Sequence, residues 1–410
     1  MYYYRYKDKL LFSKIHIEEL DKTTEDHLAK TKDPIYYLKV MDPFSSRRGF
    51  LVKSPAQIEE NKEGLDILKR DVNNFDVPDW IEDKIRDEKI KAINISFPRW
   101  KEELDDLPSH WRINVIALGD VGSTLLIGLR LLGSNMTIGI YDRTPEKVKR
   151  WEHELGQIRR PYHEKSFPAV EAVDEEDLFN CDMVVFCASR GIPPVGSENI
   201  DVRMVQFEGN REILMKHARA AREKEFKGIF AVVSDPVDLL CRGLYLDSNT
   251  DVNGNLDYRG LAPNQIIGYG LGVMNARACF HAEKNPLLEH YFKEGQVFGP
   301  HGKGLIVADS MINYNEENSL FLTEKTLNSN LEIRGFGFKP FVAPSLSSGA
   351  LSLIATIENE YFYGSSMMGE VFMGAKMRLT KNGLDIPSYS LHPMLENRLE
   401  KTYNQLRSMI

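Results

Sequence analysis

Cysteine is scarce in this chain, basic residues are in deficit, and long apolar runs are absent. Its 410 residues include four cysteines, none in a CxxC pair or at zinc-ligand spacing, which argues against a disulfide framework or a zinc module. The net charge of -8 predicts no basic surface for nucleic acid. No apolar run approaches the roughly 20 residues of a membrane span, and the first residues lack a signal-peptide pattern. These absences favour a cytoplasmic protein in a reducing compartment.

What is present is the composition of an ordinary globular protein. Hydrophobic residues make up 42% of the chain and charged residues 27%, which is enough apolar material for a sizeable core. At roughly 150 residues per domain, the length predicts two or three domains. The residue pattern changes near position 110, so we place the first boundary there, with a module at residues 1–109.

The segment 1–109 predicts a small α+β module without a motif that can be tied to chemistry. A β-hairpin, two helices and a strand follow one another, and the charged positions of the first helix predict a solvated face. Ser54 and Pro55 stand where an N-cap and a first helical residue belong. The predicted elements are the hairpin Tyr2–Tyr6 with Leu10–Ile17, helices from Ser54 to about Asn73 and at Trp80–Lys91, and the strand Ala92–Phe97.

From Arg112 onwards, apolar strand patterns alternate with helical ones. This alternation predicts an α/β fold with a doubly wound parallel sheet. The predicted strands are Ile113–Leu118, Met136–Tyr141, Asp182–Ala188 and Lys227–Ser234, and the predicted helices are Thr124–Leu132, Thr144–Leu155 and Val205–Lys224. A final amphipathic helix is predicted at Leu395–Ile410, where we expect it to pack on the C-terminal domain.

The turn after the first of these strands has the features of a dinucleotide-binding loop. Ala117 occupies the first glycine position, and Gly119 and Gly122 supply the second and third. Between them, Asp120 and Val121 open a helix whose free N–H groups suit a pyrophosphate. Asp142 ends the next strand 20 residues after Gly122, the spacing expected of a carboxylate that binds ribose hydroxyls. A carboxylate there favours NAD over NADP, although Arg143 beside it leaves NADP open.

Five stretches in order resemble the lactate/malate dehydrogenase family. The resemblance covers roughly residues 110–310 and implies a Rossmann-type NAD-binding domain at 110–262 with an α+β substrate domain at 263–410. The stretches are the glycine loop with Asp142, Val184–Ser189, Arg203–Asn210, Val232–Asp238, and Ile267–Arg277 with Phe298–Gly302.

The resemblance also implies roles for individual residues. His301 matches the proton-transferring histidine, and imidazole suits that role because it titrates near neutrality. Arg277 matches the arginine that binds the substrate carboxylate, a task for which a planar guanidinium is suited. Arg203 matches the arginine of the mobile loop, with Arg190 as a rival. The resemblance further places Ala188, Asn210 and Ser234 around the cofactor.

Two positions depart from the family pattern. Met274 stands where the family has the aspartate that orients the histidine, and a thioether cannot take over that role. Asp235 replaces the asparagine of the Ser-Asn-Pro motif, where a carboxylate would repel an anionic substrate. In one interpretation Asp235 now orients His301 and the substrate differs. In the other, the fold persists as a catalytically impaired NAD-binding sensor or scaffold.

We therefore expect a divergent NAD-dependent oxidoreductase acting on a 2-hydroxy or 2-oxo carboxylic acid. Asp235 would suit a substrate that also carries a cationic group. The resemblance implies a dimer or tetramer, and we expect no nucleic-acid, membrane or metal partner. A second enzymatic possibility is an NAD-dependent glycosidase with a Cys/His metal site, for which Cys241, Cys279 and His281 would be candidates.

Overall fold

The computed structural model describes most of the chain. The described residues are 1–71, 73, 75–162, 167–190 and 202–409, without the side chains of 202, 203 and 205. Among them, no helix is both long and apolar enough to cross a membrane.

The N-terminal segment forms a six-stranded sheet of its own, in the order β3-β1-β2-β4-β6-β5. Its strands and helices are β1 Tyr2–Tyr6, β2 Lys9–Ser13, β3 Asp21–Lys22, α1 Glu25–Lys30, β4 Ile35–Lys39, β5 Gly49–Leu51, α2 Ala56–Glu59, α3 Asp79–Arg86 and β6 Ile90–Asn94. The predicted hairpin is confirmed, because β1 and β2 pair antiparallel. Strands β2, β4 and β6 are parallel.

The long first helix predicted for this module is wrong. Helix α2 ends at Glu59, and a separate 3₁₀ turn follows at Gly64–Leu68. Gly64 has a φ of 63°, a left-handed backbone that interrupts a helix. The apolar residues of the stretch also serve two cores, since Ile58 packs in the N-terminal module whereas Ile67 packs in the main core. One helical face could not reach both.

The predicted doubly wound sheet is confirmed. Six parallel strands lie in the order β9-β8-β7-β10-β11-β12. From β7 the chain first adds strands on one side, β8 and β9, and then adds β10 on the other side of β7, so the strand order reverses between β7 and β10. The elements are β7 Trp111–Ile116, α4 Asp120–Leu132, β8 Met136–Tyr141, α5 Pro145–Gly156, β9 Ala169–Ala172, β10 Met183–Phe186, α6 Val202–Glu223, β11 Ile229–Val232, α7 Val237–Asn249 and β12 Ile266–Gly268. Ligands of such folds bind at the carboxyl ends of the strands, at the reversal point.

The C-terminal part extends the same sheet with three antiparallel strands beside β12. Its elements are α8 Leu271–Ala282, α9 Tyr291–Glu294, β13 Gln296–Phe298, β14 Ile306–Ala308, α10 Glu316–Gly335, α11 Leu351–Ile357, β15 Phe362–Met368, β16 Val371–Thr380, β17 Gly383–Asp385 and α12 Pro393–Arg407. A π-helical turn at Pro344–Ala350 leads into α11. Helix α12 packs on this part, where Thr402 donates a hydrogen bond to the Gly304 carbonyl at 2.9 Å.

The N-terminal module is attached to helix α7 by buried polar contacts. The Arg242 guanidinium, 2% exposed, lies 4.5 Å from the centre of the Phe44 ring and donates to the Phe44 carbonyl at 3.1 Å. The Tyr245 hydroxyl donates to the Pro43 carbonyl at 2.7 Å. These contacts hold helix α7 against the N-terminal module.

Candidate functional site

The loop between β7 and α4 has the backbone geometry of a dinucleotide loop. Ala117, at the first glycine position, has a φ of 74°, a conformation that glycine adopts without strain. A Cβ on Gly119 would meet no atom within 4 Å, so this side of the loop is open to a ligand. A Cβ on Gly122 would lie 2.0 Å from the Ala117 carbonyl oxygen, so helix α4 could not pack this closely on β7 with a larger residue.

Asp142 joins the end of β8 to this loop. One carboxylate oxygen accepts the Leu118 N–H at 2.8 Å and the other accepts the Thr144 N–H at 2.9 Å. The Lys147 ammonium lies 3.6 Å away. Burial raises the pKa of Asp142, but these backbone hydrogen bonds and the nearby lysine outweigh it, so the pKa is lowered overall. Asp142 is therefore ionised at neutral pH beside the glycine loop.

A single cavity of about 1370 Å³ connects the glycine loop to the residues proposed for chemistry. Gly119, Asp120, Val121, Asp142 and Ala188 line one part of it. Asp235, Arg277 and His301 line the same cavity. Its described lining also carries cationic side chains along its length, as an anionic dinucleotide and a carboxylate substrate require; these are Arg143, Lys147, Arg190, Lys216, Arg277, Arg334 and Lys339.

His301 and Asp235 are in direct contact although 66 residues separate them in the chain. His301 Nδ1 lies 2.8 Å from a carboxylate oxygen of Asp235. The histidine side chain is 16% exposed and that of the aspartate 48%. With Nδ1 bonded to a carboxylate, the proton of the neutral ring resides on that nitrogen, and Nε2 is left to exchange a proton. The structure thus gives His301 a carboxylate partner from a position where the family has an amide.

Arg277 lies on α8, on the wall of the cavity that also holds Met274. The guanidinium is 3.7 Å from the Met274 sulfur, so the thioether packs against the arginine. Burial lowers the pKa of Arg277, and the negative charge of Asp235 acts in the opposite direction. Since guanidinium remains protonated in proteins, Arg277 is a partly buried cation available to a carboxylate.

Three of the predicted cofactor residues do not line the cavity that the described residues form: Gly122, Asn210 and Ser234. The Asn210 amide donates to the Asp235 carbonyl at 2.7 Å, and its oxygen accepts the Arg190 N–H at 2.9 Å. Ser234 donates to the Ala188 carbonyl at 2.7 Å. These side-chain hydrogen bonds therefore fix the backbone at Asp235, Ala188 and Arg190.

Of the two candidate loop arginines, only Arg190 has a side chain among the described residues. Arg203 falls in the first turn of α6, but its side chain lies outside the described residues, as does the segment 191–201. Arg190 lines the cavity and forms an ion pair with Glu212 at 2.7 Å, with both side chains more than half exposed. The structure therefore places one of the two rivals at the cavity.

Several residues at the site carried no usable signal in the sequence. His217 on α6 lines the cavity with its ring edge-on to Phe186, and burial lowers its pKa, so that the ring is neutral at pH 7. Arg334 lines the cavity from α10. Neither lies in a motif, and a lone residue on a helix has no recognisable spacing. Asp238 lies within a motif, but the motif does not indicate that this carboxylate is buried against the backbone of His301.

The alternative metal site has no support from the described geometry. Cys241 is fully buried in the main core, and burial raises its pKa well above the usual value. Among the residues that the structure describes, no group of three or more His, Cys, Asp or Glu side chains is placed to hold a metal ion.

Comparison with known proteins places residues 111–256 in a family model described as lactate/malate dehydrogenase, NAD binding domain. Among curated proteins, an L-lactate dehydrogenase of Mesomycoplasma hyopneumoniae strain 232 is 26% identical over 204 residues, covering 49% of this chain and 58% of the relative. L-lactate dehydrogenase 2 of Staphylococcus aureus strain JH9 is 25% identical over 191 residues, covering 47% of this chain and 54% of the relative. The chain thus matches little more than half the length of these relatives.

Solved structures extend the likeness of the fold beyond that segment. A lactate dehydrogenase from a Medee basin deep-sea metagenome library aligns with a TM-score of 0.59 at 18% identity, covering 73% of this chain and 98% of its own. The minor L-lactate dehydrogenase of Enterococcus mundtii aligns with a TM-score of 0.60 at 17% identity and the same coverages, 73% and 98%. At such identities the likeness shows the fold alone.

Proposed function

Since this chain belongs to the lactate/malate dehydrogenase family, we propose that it is an NAD-dependent oxidoreductase that interconverts a 2-hydroxy and a 2-oxo carboxylic acid. One observation carries the proposal. A continuous cavity joins a glycine loop and an ionised Asp142 to a His301–Asp235 pair and a partly buried Arg277.

The residues of the loop end fit a dinucleotide. The open side of Gly119 admits close approach of a pyrophosphate, and the N-terminus of α4 directs free N–H groups towards it. Asp142 supplies the carboxylate for ribose hydroxyls and would repel a 2′-phosphate, so we propose NAD rather than NADP. Bound NAD supplies the carbon that accepts or returns a hydride. The protein must provide the proton transfer and hold the substrate.

His301 is the proposed acid and base. When a 2-hydroxy acid is oxidised, its C–H bond breaks as hydride leaves, and the hydroxyl proton passes to the imidazole. The ring then carries a positive charge, which the adjacent Asp235 carboxylate stabilises. In the reverse direction the imidazolium returns the proton to the carbonyl oxygen. We propose that Asp235 has taken over the orienting role which Met274 cannot perform.

Arg277 is the proposed anchor of the substrate carboxylate. Its partial burial strengthens an ion pair with a carboxylate, since less water competes for the guanidinium than on an open surface. We assign polarisation of the substrate carbonyl to Arg203 or its rival Arg190. The Asp235 charge lies near this anchor, which favours a substrate whose remaining part is not anionic. A 2-oxo acid with a cationic group is the substrate class we propose to test first.

The test is cofactor binding and turnover by the full-length chain. NAD and NADH binding would be measured by calorimetry, and NADH absorbance would be followed with neutral, anionic and cationic 2-oxo acids. We expect NADH to bind and at least one acid to be turned over. His301→Ala should abolish turnover while leaving NADH affinity within about threefold, and Arg277→Ala should chiefly raise KM.

Other outcomes separate the alternatives. Binding without turnover of any acid would refute the oxidoreductase and favour an NAD-binding sensor or scaffold. Absence of binding would overturn the cofactor assignment as well. Turnover that is unchanged in Asp235→Asn across cationic and neutral acids would eliminate Asp235 as a determinant of selectivity.

A further inference from the structure

The loop that carries His301 lies outside the helices and strands. Gly299, Gly302 and Gly304 have φ values of 90°, 139° and 97°, so the chain turns through left-handed backbone on both sides of the histidine. The Gly299 N–H is held by the Gly374 carbonyl at 2.9 Å. Left-handed glycines give a loop more conformational freedom than other residues would. A precise position for the imidazole therefore needs an anchor at His301 itself.

Asp238 is in place to be that anchor. It lies in the first turn of α7 and is 3% exposed. One carboxylate oxygen accepts the backbone N–H of His301 at 3.3 Å. The other accepts the Ser365 hydroxyl at 2.8 Å, and Ser365 is itself 3% exposed on β15. The carboxylate thus ties the histidine's backbone to a strand of the main sheet.

From this arrangement we infer that Asp238, held by Ser365, is a positioning residue for His301. The inference rests on the proposed function, in which His301 exchanges the substrate proton. Asp235 and Asp238 have complementary roles: the Asp235 carboxylate contacts the imidazole of His301, and the Asp238 carboxylate contacts its backbone N–H. Both lie at the N-terminal end of α7, where the helix dipole favours negative charge.

Close packing keeps this anchor rigid. A Cβ on Gly268 of β12 would lie 2.4 Å from a Val237 methyl and 2.9 Å from the Ser365 Cβ, so the start of α7 and strand β15 meet across a glycine. A Cβ on Gly270 would lie 3.0 Å from the His301 Cβ. The backbone on which Asp238 begins its helix, Ser365 and the His301 Cβ are therefore closely packed.

The test compares Asp238→Asn with a matched control on the same helix. Asp247→Asn makes the same substitution towards the other end of α7, where Asp247 pairs with Arg211. The asparagine at 238 removes one of the two acceptor oxygens, so either the His301 N–H loses its acceptor or the Ser365 hydroxyl must turn to accept from the new amide N–H₂. We expect kcat to fall by up to about 100-fold, as for a misplaced catalytic group. NADH affinity should stay within about threefold of the parent, and Asp247→Asn should leave kcat within about twofold.

Ser365→Ala gives a milder second variant. It removes the outer partner of the carboxylate and should lower kcat less than Asp238→Asn does. The double variant should lower kcat by no more than about twofold beyond Asp238→Asn, since both changes act through one contact. Equal kcat in Asp238→Asn and the parent, or full additivity of the two changes, would overturn the inference.

A spectroscopic readout separates this inference from the proposed function. In protein labelled at histidine nitrogen, the His301 Nδ1–H that is shared with Asp235 should give a downfield proton resonance that is lost in His301→Gln. Asp238→Asn should shift or broaden this resonance, and Asp247→Asn should not. If the parent protein turns over no acid, the proposed function fails, and the resonance alone decides whether Asp238 positions the ring. An unchanged resonance in folded Asp238→Asn would refute the positioning.

Discussion

Replacing Asp235 by asparagine would remove the negative charge beside His301 with little change in the shape of the side chain. The amide is nearly isosteric, and its oxygen can still accept the Nδ1–H across the observed 2.8 Å contact, so the ring keeps its tautomer. What is lost is stabilisation of the imidazolium that forms when a 2-hydroxy acid is oxidised. Unit charges about 4 Å apart interact by about 1 kcal/mol in water and about 4 kcal/mol at an effective dielectric of about 20.

The exposure of the pair decides where between these limits it lies. The Asp235 side chain is 48% exposed, so water screens the interaction, whereas His301 is 16% exposed and largely shielded. We take the range of about 1 to 4 kcal/mol, which corresponds to a fall in kcat of roughly 5- to 1000-fold. The loss should appear in kcat with a smaller change in KM, because the charge develops in the transition state.

The assay is NADH formation from a saturating 2-hydroxy acid, with kcat and KM determined separately. Asp247→Asn serves as the control for an aspartate removed from α7. Circular dichroism and NADH affinity would show that the fold and the cofactor site are intact. A kcat within twofold of the parent would refute the view that Asp235 replaces the family's orienting aspartate. A loss confined to KM would assign Asp235 to substrate binding instead.

Two further predictions concern stability, each measured by urea unfolding. Ala117→Gly should stabilise the chain by up to about 1 kcal/mol, because the left-handed backbone at φ 74° disfavours a Cβ; a less stable variant would contradict this conformation. Lys39 is buried, which lowers its pKa to about 8 despite the opposing charge of Glu63. Between pH 8 and 10.5, Lys39 therefore binds more protons in the unfolded chain than in the folded chain. Its contribution to the free energy of unfolding rises by about 2 kcal/mol between pH 8 and 10. The free energy of unfolding of Lys39→Met should lack that rise with pH. An identical pH dependence in the variant and the parent would refute the prediction.

Local order made much of the nucleotide-binding half predictable. A strand, a glycine turn and a helix are each specified by neighbouring residues, so the loop 117–122 and the strand ending before Asp142 lie where the sequence predicts them. Predicted ends of elements differ from the observed ends by a few residues, because terminal turns depend on contacts as much as on propensity. The failed helix after Ser54 shows the limit of periodicity, which cannot tell that Ile58 and Ile67 face different cores.

The motifs themselves named His301, Arg277 and Asp235, and the substitution at Met274 showed that an orienting carboxylate was missing. Whether another carboxylate replaced it was beyond the sequence, because Asp235 and His301 meet only when α7 and the loop after β13 pack together. The same packing turned Asn210 and Ser234 towards backbone atoms and buried Asp238 beneath the histidine. Side-chain chemistry can be read from a chain, but the distance between groups 66 residues apart is set by the packing of the whole fold.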